Sequence, residues 1–190
     1  MKQLWTGLVV AAALLAGCAS NAPRIDFDSS ADFASYKTYA FISDKPLMRA
    51  PDSGPHSPLL EGRLMRITDD AMQARGYTKV SNPEAADFAI GFTVGSRDKI
   101  QVNSYPASYR PYYGGWGWGG GYYGGASTTS VSQYTEGTLA VDIYDVASHK
   151  PVWHGVAEKR ITDSMRRNPT EAVTEILNEI YAGYPPGSAK

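Results

Sequence analysis

Few side chains in this sequence combine the type and spacing that chemistry requires. There are three histidines, His56, His149 and His154, and the last two follow Asp142 and Asp145 in the segment GTLAVDIYDVASHKPVWHGVA. A zinc site needs three or four converging ligands, and a metal-dependent or acid/base centre would draw here on His154, His149 and Asp142. The two histidines flank a turn-like SHKP and do not share a strand face. The plainer expectation is a solvated His149 and a His154 paired with a sheet neighbour. Asp142 and Asp145, three apart on a strand and its exit, point to opposite faces. Two carboxylates acting on one glycosidic bond must instead line one cleft, roughly 5–10 Å apart. Asp145 is expected to open the turn by hydrogen-bonding local backbone. No Gly-x-Ser-x-Gly nucleophile motif occurs, and Gly95-Ser96-Arg97 reads as a strand end. GGWGWGGGYYGG lacks the Lys-Ser/Thr of a phosphate loop and leads into no helix. These features make a catalytic residue, a metal and a cofactor all unexpected.

The glycine-aromatic stretch has a different potential. Tyr105, Tyr109, Tyr112, Tyr113, Trp116, Trp118, Tyr122 and Tyr123 are interleaved with glycines. Ordering such a segment costs about 1–2 kcal/mol per residue, so it reads as a loop of about 103–127 between two strands. It is either a low-complexity hairpin extension without a ligand or an adhesive patch. In the second case Tyr112, Tyr113, Trp116, Trp118, Tyr122 and Tyr123 would contact glycan such as peptidoglycan, the membrane interface or another envelope protein. Arg110 is its one positive charge, which disfavours a strongly anionic ligand. Trp153, in a strand, is expected to be a core anchor under a helix.

The remaining reactive group is Cys18, the only cysteine among 190 residues. It ends an N-terminal pattern of one positive charge at Lys2, an apolar run from Leu4 to Leu15, and then Ala16-Gly17. The run is too short for a spanning helix, which needs roughly 20 apolar residues, and has the length of a signal-peptide core. Leu15-Ala16-Gly17-Cys18 resembles a bacterial lipobox, whose cysteine receives diacylglycerol before cleavage ahead of it. No second cysteine offers a disulfide. Cys18 is therefore expected to be a membrane anchor. Ala19 stands where Asp often marks inner-membrane retention, so the expected address is the outer membrane, facing the periplasm.

Loss of residues 1–17 removes Lys2 alone among the charged residues, so 18 basic side chains become 17 against 19 acidic. That balance, without a basic run, argues against nucleic acid. The remainder suffices for one domain with a core. Residues 18–31 read as a tether and 32–184 as the domain. Within it, 36–42 predicts a strand and the proline-rich 43–58 a loop. Ser57 and Pro58 open a helix carrying Leu60, Leu64, Ile67, Ala71 and Ala74, closed by Gly76. YTKV is a short strand and NPEAAD a turn. Phe88, Ile90, Phe92 and Val94 alternate as a half-buried strand. Residues 128–147 and VWHGVAEKRI form a hairpin with Leu139, Val141 and Ile143 on one face. Asn168-Pro169-Thr170-Glu171 opens a last helix with Ala172, Val173, Ile176, Leu177, Ile180 and Tyr181 on its apolar side. The predicted class is α+β, a two-layer domain with two helices on one face of a mostly antiparallel sheet.

YKTYAF after a lipoprotein-like leader, ARGYTKV, EAADFAIGFTV, GTLAVDIYDVASHKPVWHGVA and PTEAVTEILNEI together resemble the bacterial lipoproteins grouped as domain of unknown function 4136. The resemblance spans about residues 25–184 and implies an α+β periplasmic domain on a lipid anchor, with no activity or catalytic motif to transfer. The expected function is that of a non-enzymatic envelope lipoprotein with a structural or binding role.

Overall fold

The computed structural model describes residues 22–51, 53–106 and 127–187. The elements in chain order are β1 (Arg24–Phe27), β2 (Thr38–Phe41), β3 (Leu47–Arg49), α1 (Leu60–Ala74), β4 (Thr78–Lys79), β5 (Phe88–Pro106), β6 (Ser127–Asp145), β7 (Lys150–Arg160), α2 (Asp163–Arg167) and α3 (Pro169–Tyr181). One sheet runs β1-β7-β6-β5-β2-β4, with β3 also paired to β5.

The alternation at 88–94 builds the centre of the sheet. Phe88, Ile90, Phe92 and Val94 are buried on one face together with Leu139, Val141 and Ile143 of β6. Helices α1 and α3 contribute Leu64, Ile67, Met72, Leu177, Ile180 and Tyr181 to the same cluster. The two helices meet where Thr68 Oγ1 lies 3.0 Å from the Tyr181 hydroxyl. Arg75 ties their C-terminal ends, donating to the carbonyls of Ala71 at 2.9 Å and Tyr181 at 2.8 Å. Those carbonyls would otherwise lack partners at the helix ends.

Four expectations need correction. The sheet is mixed: β5–β6–β7–β1 is antiparallel, but β2 pairs β4 and β5 in parallel, as does β3 with β5. Parallel neighbours need a crossover, and α1, lying between β2 and β5 in sequence, supplies it. The segment 43–58 is not wholly loop. β2 and β3 run along the same edge of β5, Phe41 opposite Ile90 and Leu47 opposite Phe92, with 42–46 looping out between them. The tether yields a strand, because Arg24–Phe27 pairs with Val156–Trp153 of β7. Its inward Ile25 packs against the core. Finally, the described residues hold three α-helices, since α2 precedes α3.

Helix ends also differ in detail. α1 begins at Leu60, two residues later than its prolyl signal, and Ser57 Oγ accepts from the Leu59 amide at 3.2 Å. Asn168 precedes Pro169 at the start of α3 but makes no side-chain cap, because it also ends α2. Gly76 follows α1 with φ 87°, the left-handed conformation expected of it. β5 and β6 extend into the span read as loop, pairing as far as Pro106 and Ser127.

Candidate functional site

The hairpin β6–β7 positions the sequence-predicted polar residues. Asp142 and His154 face each other across it on the outer sheet face, with His154 Nδ1 2.7 Å from Asp142 Oδ1. Asp26 of β1 lies opposite His154 on the other side, so one cross-strand row reads Asp26, His154, Asp142. The sequence reading missed Asp26 because it took β1 for tether. Among the described residues no three His, Cys, Asp or Glu groups converge as a metal site. Likewise among the described residues, no serine hydroxyl joins the His154–Asp142 pair.

Asp145 opens the turn as expected: its Oδ1 accepts from the Ser148 amide at 2.7 Å and the Ser148 hydroxyl at 2.6 Å. The Ser148 hydroxyl is the main reason its carboxyl sits below the usual range. The other oxygen accepts from the Tyr36 hydroxyl at 3.0 Å. Burial, then this bond, pushes the Tyr36 hydroxyl above its ordinary range. His149 sits exposed in the turn with φ 56°. These are structural roles that secure the hairpin, with His149 apart from the His154–Asp142 pair.

Trp153 is the expected anchor, buried in a stack on Tyr181 with ring centroids 6.5 Å apart and planes 16° from parallel. Its indole N–H donates to the Gly183 carbonyl at 3.3 Å. Cys18 and the aromatic set Tyr112, Tyr113, Trp116, Trp118, Tyr122 and Tyr123 lie outside the described residues.

The feature the sequence did not disclose is a pocket of about 250 Å³ on the inner sheet face. Its floor is Val94, Leu139 and Ala157, one cross-strand row of β5, β6 and β7. Ala172, Val173 and Ile176 of α3 cover it, with Met165 of α2 and Leu60 of α1 at its sides. Small residues leave it open. On the inner face Gly137 and Ala157 occur where the opposite end of the same two strands has Ile143 and Trp153. Its polar lining consists of Arg49, His56, Lys159 and Arg166 with Ser53, Ser96 and Thr138. Lys159 Nζ lies 2.7 Å from Glu179 Oε2. Neither Arg49 nor Arg166 has a carboxylate partner among the described residues. A largely apolar chamber with cations in its lining can hold a hydrocarbon group and pair an anionic one.

The profile of a family described as a domain of unknown function, DUF4136, matches residues 23–186. The chain belongs to that family. Its fold is shared by a DUF4136 protein of Bacteroides thetaiotaomicron, which is 17% identical with a TM-score of 0.54, over 88% of this chain and 97% of that one. Weaker likenesses are the PelC dodecamer of Paraburkholderia phytofirmans, 10% identical over 84% and 94% of the chains with a TM-score of 0.47, and the lipoprotein GNA1162 of Neisseria meningitidis, 13% identical over 75% and 99% with a TM-score of 0.35. No curated protein matches the sequence. In this DUF4136 domain the pocket could not have been read from one strand at a time. It depends on cross-strand register, which places three small or medium side chains in one row beneath the small N-terminal turn of α3.

Proposed function

We propose that this DUF4136 protein is a lipid-anchored lipoprotein of the cell envelope, held by Cys18 at the periplasmic face of the outer membrane. Its domain binds rather than catalyses, and the inner-face pocket is where it holds a ligand. The observation that carries the binding role is the pocket itself, a largely apolar chamber whose lining also includes Arg49, Lys159 and Arg166. Supporting the anchor, Cys18 ends the lipobox-like Leu15-Ala16-Gly17-Cys18 after an apolar run of signal-peptide length. Among the described residues no helix is long and apolar enough to cross a membrane. One anchored acyl chain binds only marginally, whereas several together hold stably.

The test of the anchor is Cys18→Ser. The substituted chain should leave the membrane fraction and appear as soluble periplasmic protein or uncleaved precursor, with the mass of the attached lipid gone. Membrane retention of an unmodified chain would exclude lipid anchoring.

A further inference from the structure

We infer that the pocket takes the single hydrocarbon chain of an anionic amphiphile, a long-chain fatty acid carboxylate, drawn from the membrane surface. This rests on the reading of the pocket as a ligand site and names what fills it. The interior offers only hydrocarbon along the Val94, Leu139 and Ala157 floor and the Val173 and Ile176 roof. Its 250 Å³ falls just below the roughly 300–1,000 Å³ of sites for drug-sized molecules, room for part of one chain and not for two. The lining supplies the counter-charge: Arg49 and Arg166, unlike Lys159, have no carboxylate partner among the described residues. A guanidinium forks onto a carboxylate with two parallel bonds.

The strand register adds a route from the bilayer. Arg24 lies opposite Val156, and β1 is antiparallel to β7. The chain preceding Arg24 therefore leads toward the Ala157–Lys159 level, where the pocket lies. From Ala22, four residues reach at most about 14 Å to Cys18. An anchored Cys18 thus holds the pocket end of the domain close to the lipid surface. The anchor's own acyl groups carry no anionic head, so the cations of the lining favour a free acid over them.

The probe is a photoreactive diazirine analogue of hexadecanoate, applied to the full-length chain in phosphatidylcholine vesicles, with labelled peptides located by mass spectrometry. The expected label falls on peptides from α2 and the first half of α3. Excess hexadecanoate should displace it, and the neutral hexadecanol should not. Arg49→Gln with Arg166→Gln, both exposed positions, should weaken labelling about tenfold, the effect of losing one charge-assisted hydrogen bond, while the thermal midpoint stays put. Val173→Trp, which fills the chamber, should abolish it. Equal displacement by hexadecanol, with no effect of the double arginine variant, would overturn the anionic ligand yet leave the pocket as a ligand site. A many-fold gain of label in Cys18→Ser would make the chain's own acyl group the occupant and overturn the inference. No label in the pocket peptides of any chain would remove both the fatty acid and the ligand-site reading.

Discussion

At one end of the inner sheet face Trp153 stacks on Tyr181 and meets Tyr184 edge-on at 5.3 Å, and Phe88 lies 5.8 Å from Tyr184. The packing is tight enough that a Cβ on Gly155 would sit 2.3 Å from the Trp153 ring and 2.7 Å from Ile180. At the other end the same strands present Val94, Leu139 and Ala157, and α3 meets them with Ala172 and Val173, leaving the pocket. Apolar side chains line both ends, so apolar character alone does not explain the difference. Side-chain volume does. Aromatic side chains bury about 150–250 Å² each and fill one end, while the small side chains of the other cannot span the gap beneath α3.

This contrast can be broken experimentally, beginning with the largest effect. Trp153→Ala empties the filled end and should cost about 3–5 kcal/mol, read as a drop in the urea midpoint by far-UV circular dichroism. A loss below about 1 kcal/mol, typical of exposed positions, would show that the aromatic end is not tightly packed. Adding volume should have opposite consequences at the two ends. Gly155→Ala is expected to destabilise by about 1–3 kcal/mol through overpacking. Ala172→Leu should be neutral or stabilise by up to about 2 kcal/mol, as cavity filling does. Equal losses from the two would erase the distinction.

Acid should act on the hydrogen-bonded carboxylates, among them Asp145 at the hairpin turn and Asp87 at the polar edge around β2. Asp87 Oδ2 accepts from the amides of Lys37 and Thr38 at 2.7 and 2.8 Å and from the Thr38 hydroxyl at 2.9 Å. The backbone bonds from Lys37 and then Thr38 hold its carboxyl below the usual range. A carboxyl whose folded pKa is depressed stabilises fully above its unfolded value, about 3.9, and that contribution disappears as pH falls through the folded value. Stability should therefore decline below about pH 4, and Asp87→Asn should flatten that limb of the urea-midpoint profile. The smallest effect belongs to His154→Gln on the exposed outer face, within about 0.5 kcal/mol; a larger loss would mean that the Asp26, His154, Asp142 row bears more of the sheet's stability.

Much of this frame was legible in the sequence. The alternation Phe88, Ile90, Phe92, Val94 specified the central strand and its buried face, and SHKP specified the hairpin. The turn role of Asp145 followed from its position. What stayed hidden was whatever depends on partners distant in the chain. β1 exposes all but Ile25, so its segment carries no apolar run to mark it. β3 has three residues among prolines and exists because β5 offers a free edge. Parallel pairing through α1 leaves no local signature, and the pocket arises from register among three strands. Trp153 could be recognised as an anchor, whereas the hollow beside it could not.

The β5–β6 ribbon has a consequence for how an anchored molecule would sit. Its third strand ends where Arg160 pairs with Glu136, itself opposite Arg97. From Asp98 to Pro106, among the described residues, β5 and β6 continue as a pair, about 30 Å of length at roughly 3.4 Å per residue. It departs from the same end of the sheet as the leash to Cys18, which is less than half as long. With that cysteine fixed in a bilayer, a straight ribbon could not stand upright between globule and lipid: it would recline along the headgroups or plunge among them.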